Sequence, residues 1–295
     1  MNKILLATTA LVATAGFAAA DVSLSGSAEM GLVDLGGATD VAFHSDMDVR
    51  FTLSGETDNG LTFGATIDLD EVADGISNAG GSDAVFISGS FGTLTLGDTD
   101  GAFDWAMQEV GIGSAIIDDH TTHAGFAFNS GLDGSAGGNV LRYDNTFGDL
   151  SVAVSAELDA AAGDDALGFG VKYNAALAGV DLGLGLGFQD NGVVDGWGVS
   201  VDAKFANGLR AIVNHSDGGG VEHTGLGLGY TSGALTVSAN YGEFSGAVVQ
   251  DGYGFAVNYD LGGAAVQFGY GSDRQDSDGL ATGEASWSLG LAMSF

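Results

Sequence analysis

The chain has neither cysteine nor proline among its 295 residues. Without cysteine there is no disulfide framework, so stability must have another source. Without proline, and with glycine at 52 positions, Pro-rich linkers and collagen are excluded. Basic residues are also scarce: seven Lys and Arg stand against 39 Asp and Glu, for a formal net charge of −32. Arg50, Arg142, Lys172, Lys204, Arg210 and Arg274 are scattered singly, whereas phosphate recognition needs clustered basic side chains, so nucleic acid is excluded as a partner. Such acidity attracts cations. Alternatively it only keeps loops soluble, as in a saline habitat.

Long apolar runs are absent as well. Lys3, the apolar stretch from Ile4 to Phe17, and Ala18-Ala19-Ala20 have the order of a secretory signal peptide, with a charged start, a short hydrophobic region and a small-residue cleavage site. Residues 1–20 are therefore expected to be removed, leaving 21–295 as one exported domain. That stretch is too short and too rich in Ala and Thr to span a membrane, and nothing after it reads as a membrane helix.

What the sequence does contain is alternation. Hydrophobic residues make up 45% of the chain, too many for disorder. They recur with a period of two: Ala285, Trp287, Leu289, Leu291, Met293 and Phe295 alternate with Ser286, Ser288, Gly290, Ala292 and Ser294. Residues 61–70, 150–159, 180–189, 196–205, 234–242 and 251–260 repeat the pattern over lengths that suit a tilted strand crossing a bilayer.

Tight-turn signals separate the strands. Gly60, Gly92, Gly148, Gly179, Gly208, Gly233 and Gly263 are each followed within two positions by an apolar residue, and glycine supplies the positive φ of a short hairpin. Their spacing is 25 to 32 residues, except for 56 between Gly92 and Gly148. Two strands per interval, plus one segment at each end, predict sixteen strands. The excess in the long interval falls at 98–139, a loop too long to lack a purpose.

The polar face of these strands carries Ser, Thr, Gly and Asn with few charges, unlike the surface of a soluble β protein. Gly183, Gly185 and Gly187 alternate with Leu184, Leu186 and Phe188, and inward residues this small are expected to leave room for water. A spanning sheet must close, because unpaired edges are not tolerated in lipid. Aromatic residues fall at strand ends, Phe91, Phe147, Phe205, Tyr230 and Tyr259 by the tight turns and Phe188, Trp197, Tyr241, Tyr253, Tyr270 and Trp287 by the longer loops. They fit interfacial girdles, or ordinary strand aromatics in a sandwich core. The predicted fold is an all-β, antiparallel transmembrane barrel.

The start Asp21-Val22-Ser23-Leu24-Ser25-Gly26, the stretches from Phe51 to Gly55 and Gly60 to Ala65, the stretch from Val85 through Phe91-Gly92 to Asp98, and the terminal Phe295 resemble the general bacterial porins, most closely the sixteen-stranded trimeric porins of α-proteobacteria. The resemblance covers the chain from residue 21 onward. It implies a homotrimer in the outer membrane that passes small hydrophilic solutes without catalysis, to which the acidic balance of this chain adds a preference for cations. It also implies that Phe295 is read by the barrel-assembly machinery and that 98–139 is a third extracellular loop folded inward as a constriction. Asp98, Asp100, Asp104, Glu109, Asp118, Asp119 and Asp133 would then line the eyelet, although spacing alone leaves open which face the lumen. The family sets a basic cluster opposite the loop. Here Arg50, Arg142, Lys172, Lys204 and Arg210 share inward parity without clustering, which implies a weaker transverse field. Acidity is expected in the long loop and the outer rim and not along the wall.

Asp118-Asp119-His120-Thr121-Thr122-His123 reads as a metal site or as a polar loop tip against the wall or a neighbouring subunit. Structural calcium suits its carboxylates better than zinc, and no other cofactor is implied. Gly111-Ile112-Gly113 lacks a third glycine, and no phosphate loop occurs. His215-Ser216 and His223-Thr224 leave an outer-membrane hydrolase as one alternative function. A secreted structural or adhesive β protein is another.

Overall fold

A computed structural model describes residues 21–37, 40–69, 83–116, 139–158, 165–247, 249–272 and 284–295. Its strands are β1 (Asp21–Asp34), β2 (Ala42–Glu56), β3 (Thr62–Leu69), β4 (Asp83–Gly89), β5 (Gly92–Gly97), β6 (Val140–Phe147), β7 (Leu150–Glu157) and β8 (Ala166–Leu177). They continue as β9 (Val180–Asp190), β10 (Asp195–Phe205), β11 (Leu209–Gly218), β12 (Val221–Ser232), β13 (Leu235–Gly246), β14 (Gln250–Asp260), β15 (Ala264–Gly271) and β16 (Ser286–Ser294). One short helix, α1 (Ala102–Ala106), follows β5.

Every strand pairs antiparallel with its sequence neighbours, and β1 pairs with β16 from Ser27↔Ser294 to Asp34↔Trp287. The sixteen-strand barrel expected from turn spacing is therefore present and closed. All seven predicted tight turns lie on one rim, where both ends of the sheet also lie: Phe295 N–H donates to Gly26 O at 2.9 Å, and Ser294 N–H to Gly263 O at 3.1 Å. The other rim carries the longer connections, apart from short ones at Gly219-Gly220 between β11 and β12 and at 247–249 between β13 and β14.

Burial is inverted relative to a soluble protein. On β9, Leu184, Leu186 and Phe188 face outward, 38–45% exposed, while Gln189 points inward and is buried. The buried polar set includes Ser200, Asn214, Ser216, Ser286 and Ser288. Apolar side chains project outward on strand after strand because the alternation gives each strand one oily face. A surface of this kind is stable in hydrocarbon and not in water. Phe91, Phe147, Tyr230 and Tyr259 are exposed at the tight-turn rim and Phe188, Trp197 and Tyr253 toward the other. There Tyr270 stacks on Phe255 at 5.1 Å between ring centroids.

The β8–β9 turn places both central residues in the left-handed region, Ala178 at φ 51° and Gly179 at φ 86°. That is the hairpin geometry whose twist matches the strands, and it favours glycine at both positions. Ala178 is the one non-glycine residue with positive φ among the described residues. Ala178→Gly is expected to stabilise the barrel by about 0.5–1 kcal/mol, read as a higher urea midpoint for protein refolded in lipid vesicles. An unchanged or lower midpoint would contradict this.

Candidate functional site

The segment after β5 does not stay on the rim. Asp98 N–H donates to Asp83 O at 2.9 Å, and from Gly101 the chain runs down inside the barrel and across its inner wall. Residues of this loop alternate between two environments. Ala102, Phe103, Ala106, Met107, Val110, Ile112 and Ile116 are buried against the wall, while Asp104, Trp105, Gln108 and Glu109 are only half-buried.

The wall receives the loop in two ways. Its inward polar side chains satisfy loop backbone groups that would otherwise lose water without compensation. Ala102 N–H donates to Ser155 Oγ at 2.8 Å, Gln108 N–H to Ser200 Oγ at 3.0 Å, and Asn214 Nδ2 to Gln108 O at 3.0 Å. Further along, Ser238 donates to Ile112 O. The Asn258 amide both accepts from Ser114 N–H at 3.1 Å and donates to Ser114 O at 2.6 Å, and Gln267 Nε2 donates to Ser114 Oγ at 2.8 Å.

The inward glycines supply the second contribution, and it differs from the sequence expectation. Gly187 lies against Phe103, Gly198 against Met107, Gly229 against Ile112, and Gly31 and Gly290 against Ile116. These positions are filled by the loop and not by water. They are small so that a second layer of chain can fit inside the sheet.

Of the predicted acids, Asp104 on α1 and Glu109 sit on the half-buried side of the loop, with Trp105 and Gln108 between them. Asp98 and Asp100 lie where the loop enters the barrel. Partial burial of the Asp98 carboxyl, and then the charges of Asp100 and Asp83, hold it above the usual carboxylate range. Asp118, Asp119 and Asp133, with His120, His123 and the calcium reading attached to them, lie outside the described residues.

The basic residues fall into three places. Arg142 on β6 and Lys172 on β8 both stand near the loop entrance, where Lys172 feels the charges of Arg142, Asp100, Asp144 and Asp104. Arg142 donates through Nη1 to Asp100 O at 2.6 Å and contacts Asp144 at 3.4 Å. Lys172 Nζ stands 4.1 Å from the Trp105 ring centroid, a cation–π contact. Toward the tight-turn rim, Arg210 grips Asp202 with two bonds of 2.9 Å, and Lys204 approaches the same carboxylate at 3.5 Å. Arg50 stands apart on β2, bonded through Nε to Asp68 at 2.9 Å. Arg50, Arg142, Lys204 and Arg210 thus each have an acidic partner on the wall, while Lys172 stands over Trp105. Acidity is accordingly not confined to loops: Asp48, Asp68, Asp144, Asp181 and Asp202 also occupy inward strand positions.

Trp105, Gln108 and the polar wall side chains were missed by sequence reasoning. A usable signal existed in the inward amides, since Asn258 and Gln267 face each other across β14 and β15 where serine or glycine would have served an open lumen. His215 and Ser216 do not form a catalytic pair, because adjacent strand residues point to opposite faces. His215 Nδ1 lies 3.0 Å from Thr224 Oγ1 with Trp197 beside it, while Ser216 is fully buried on the inner face.

A sequence profile described as Gram-negative porin matches residues 7–278. The chain belongs to the Gram-negative porin family. Relatives agree: a porin of Rhodobacter capsulatus is 29% identical over 279 residues, covering 83% of this chain and 91% of the relative. A porin structure refined at 1.8 Å superposes with a TM-score of 0.69 at 25% identity, covering 93% of this chain and all of that one. A Rhodopseudomonas blastica porin variant, at 20% identity and TM-score 0.64 with the same coverage, shares the fold. This porin is thus an outer-membrane channel of the α-proteobacterial type.

Within the porin, Arg210→Met would leave the Asp202 carboxylate with only Lys204 beside it. A loss of about 1–2 kcal/mol is expected, moderated by the water of the lumen, and would appear as a lower urea midpoint. Equal midpoints would mean that the pair is fully screened.

Proposed function

We propose that the porin is a passive, cation-selective diffusion channel for small hydrophilic solutes, narrowed by the loop that begins at Asp98. The observation that carries this reading is the arrangement of charge: Asp104 and Glu109 stand on the lumen side of the loop, while Arg50, Arg142, Lys204 and Arg210 are paired with wall carboxylates and Lys172 stands over Trp105. Fixed negative charge at a narrowing raises the local cation concentration and repels anions. Solutes would enter through the rim of long loops, pass between the loop and the opposite wall, and leave at the rim of tight turns. No bond is made or broken, and no cofactor enters the mechanism.

The family resemblance supports a homotrimer. The order of charged, apolar and small residues in 1–20 supports export with removal of that segment, leaving 21–295 as a single barrel domain. The exposure of Phe295, 78% at the end of β16, supports its reading by the assembly machinery.

Planar bilayers test the reading. Under a KCl gradient the reversal potential is expected to have the sign of cation preference. Asp104→Asn with Glu109→Gln is expected to lower the K⁺/Cl⁻ permeability ratio about twofold. An unchanged ratio would move selectivity to the wall acids. Deleting residues 101–138 is expected to raise single-channel conductance, and conductance equal to that of the full chain would place the narrowing elsewhere.

A further inference from the structure

The loop's distance from the wall is set by residues that no solute meets. Gly170 on β8 faces the carbonyl of Ala102, Gly185 on β9 that of Ala106, and Gly227 on β12 that of Val110. A Cβ built at any of the three would stand closer than 3.0 Å to that oxygen. In each case the obstacle is backbone, which cannot swing aside as the end of a flexible side chain can. The three carbonyls are four residues apart along the loop. Ser155 bonds the backbone of Ala102, and Ser200 and Asn214 that of Gln108, to the same side of the barrel. The opposite side of this segment carries Asp104 and Glu109.

We propose that Gly170, Gly185 and Gly227 are positioning residues that fix the cross-section of the eyelet, holding the acid-bearing segment as close to the wall as backbone contact allows. The proposal rests on the loop being the constriction. A methyl group at any of these positions would push the loop roughly 1 Å across the lumen to restore ordinary contact. The hydrogen bonds that fasten the segment would resist its detachment. The channel would narrow without any change in the residues that line it.

The test compares single-channel conductances of Gly170→Ala, Gly185→Ala and Gly227→Ala in the full chain and in the chain lacking residues 101–138. Heat-modifiable gel mobility checks folding. Gly183→Ala is the control, because its Cβ would meet only Asn174 at 3.2 Å and Asp202 at 3.7 and 3.9 Å, and no part of the loop. The three variants are expected to conduct about 1.3- to 2-fold less than wild type, the control to match wild type, and every difference to vanish in the loop-deleted background. Unchanged or raised conductance in the full chain, or a fall that persists without the loop, would overturn the proposal. Loop deletion that leaves conductance unchanged would instead defeat the eyelet reading itself. If an alanine variant does not fold, Ser200→Ala and Asn214→Ala loosen the same seat without adding bulk. They are expected to lower mean conductance and raise open-channel noise, and traces identical to wild type would again overturn the proposal.

Discussion

Pairing between β1 and β16 is the interaction on which the rest of the molecule depends. In hydrocarbon an unpaired N–H or C=O has no water to turn to, so a sheet survives there only if its first and last strands find each other. The register of that seam aligns both chain ends with the rim of tight turns. It also fixes the parity of every strand between them, since a slip of one residue would turn an oily face inward along a whole strand. The outward apolar surface and the polar lumen follow from that single closure.

A closed sheet leaves an interior to be filled or kept open, and this porin does both. The loop after β5 takes up part of the inner wall through two kinds of accommodation. Side chains of Ser, Asn and Gln meet its peptide groups, and glycines leave space for its backbone and apolar residues. Neither would suffice alone. Bonding without clearance would hold the chain under strain, and clearance without bonding would leave a buried backbone unsatisfied. The loop residues that face water then carry the charge, with wall cations and anions paired around them.

Much of the barrel was legible in the sequence because its constraints are local. Alternation with a period of two announces a strand with unlike faces, and glycine just before an apolar residue announces a short hairpin, as Gly60, Gly148 and Gly233 do. Counting these gave sixteen strands. The loop was legible as an excess of length but not as a path, because its contacts join residues such as Gln108 and Ser200 or Ser114 and Gln267 that lie far apart in the chain. Parity placed Gly185 and Gly187 on the inner face correctly. What it could not convey was that these glycines face a second layer of protein. For the same reason the wall carboxylates of Asp68 and Asp202, which meet Arg50 and Arg210 from neighbouring strands, went unread in the sequence.

The loop also has a mechanical role. Its described part begins against β7, crosses the inner wall through β8 to β14, and ends with Ile116 between Gly31 on β1 and Gly290 on β16. This part therefore spans most of the circumference and reaches the seam where the sheet meets itself. A hollow tube in a bilayer is squeezed sideways by the surrounding chains, and a thin wall yields to such loads by flattening. An internal tie fastened at many points resists that flattening, and one that is seated across the joint also keeps the joint from parting.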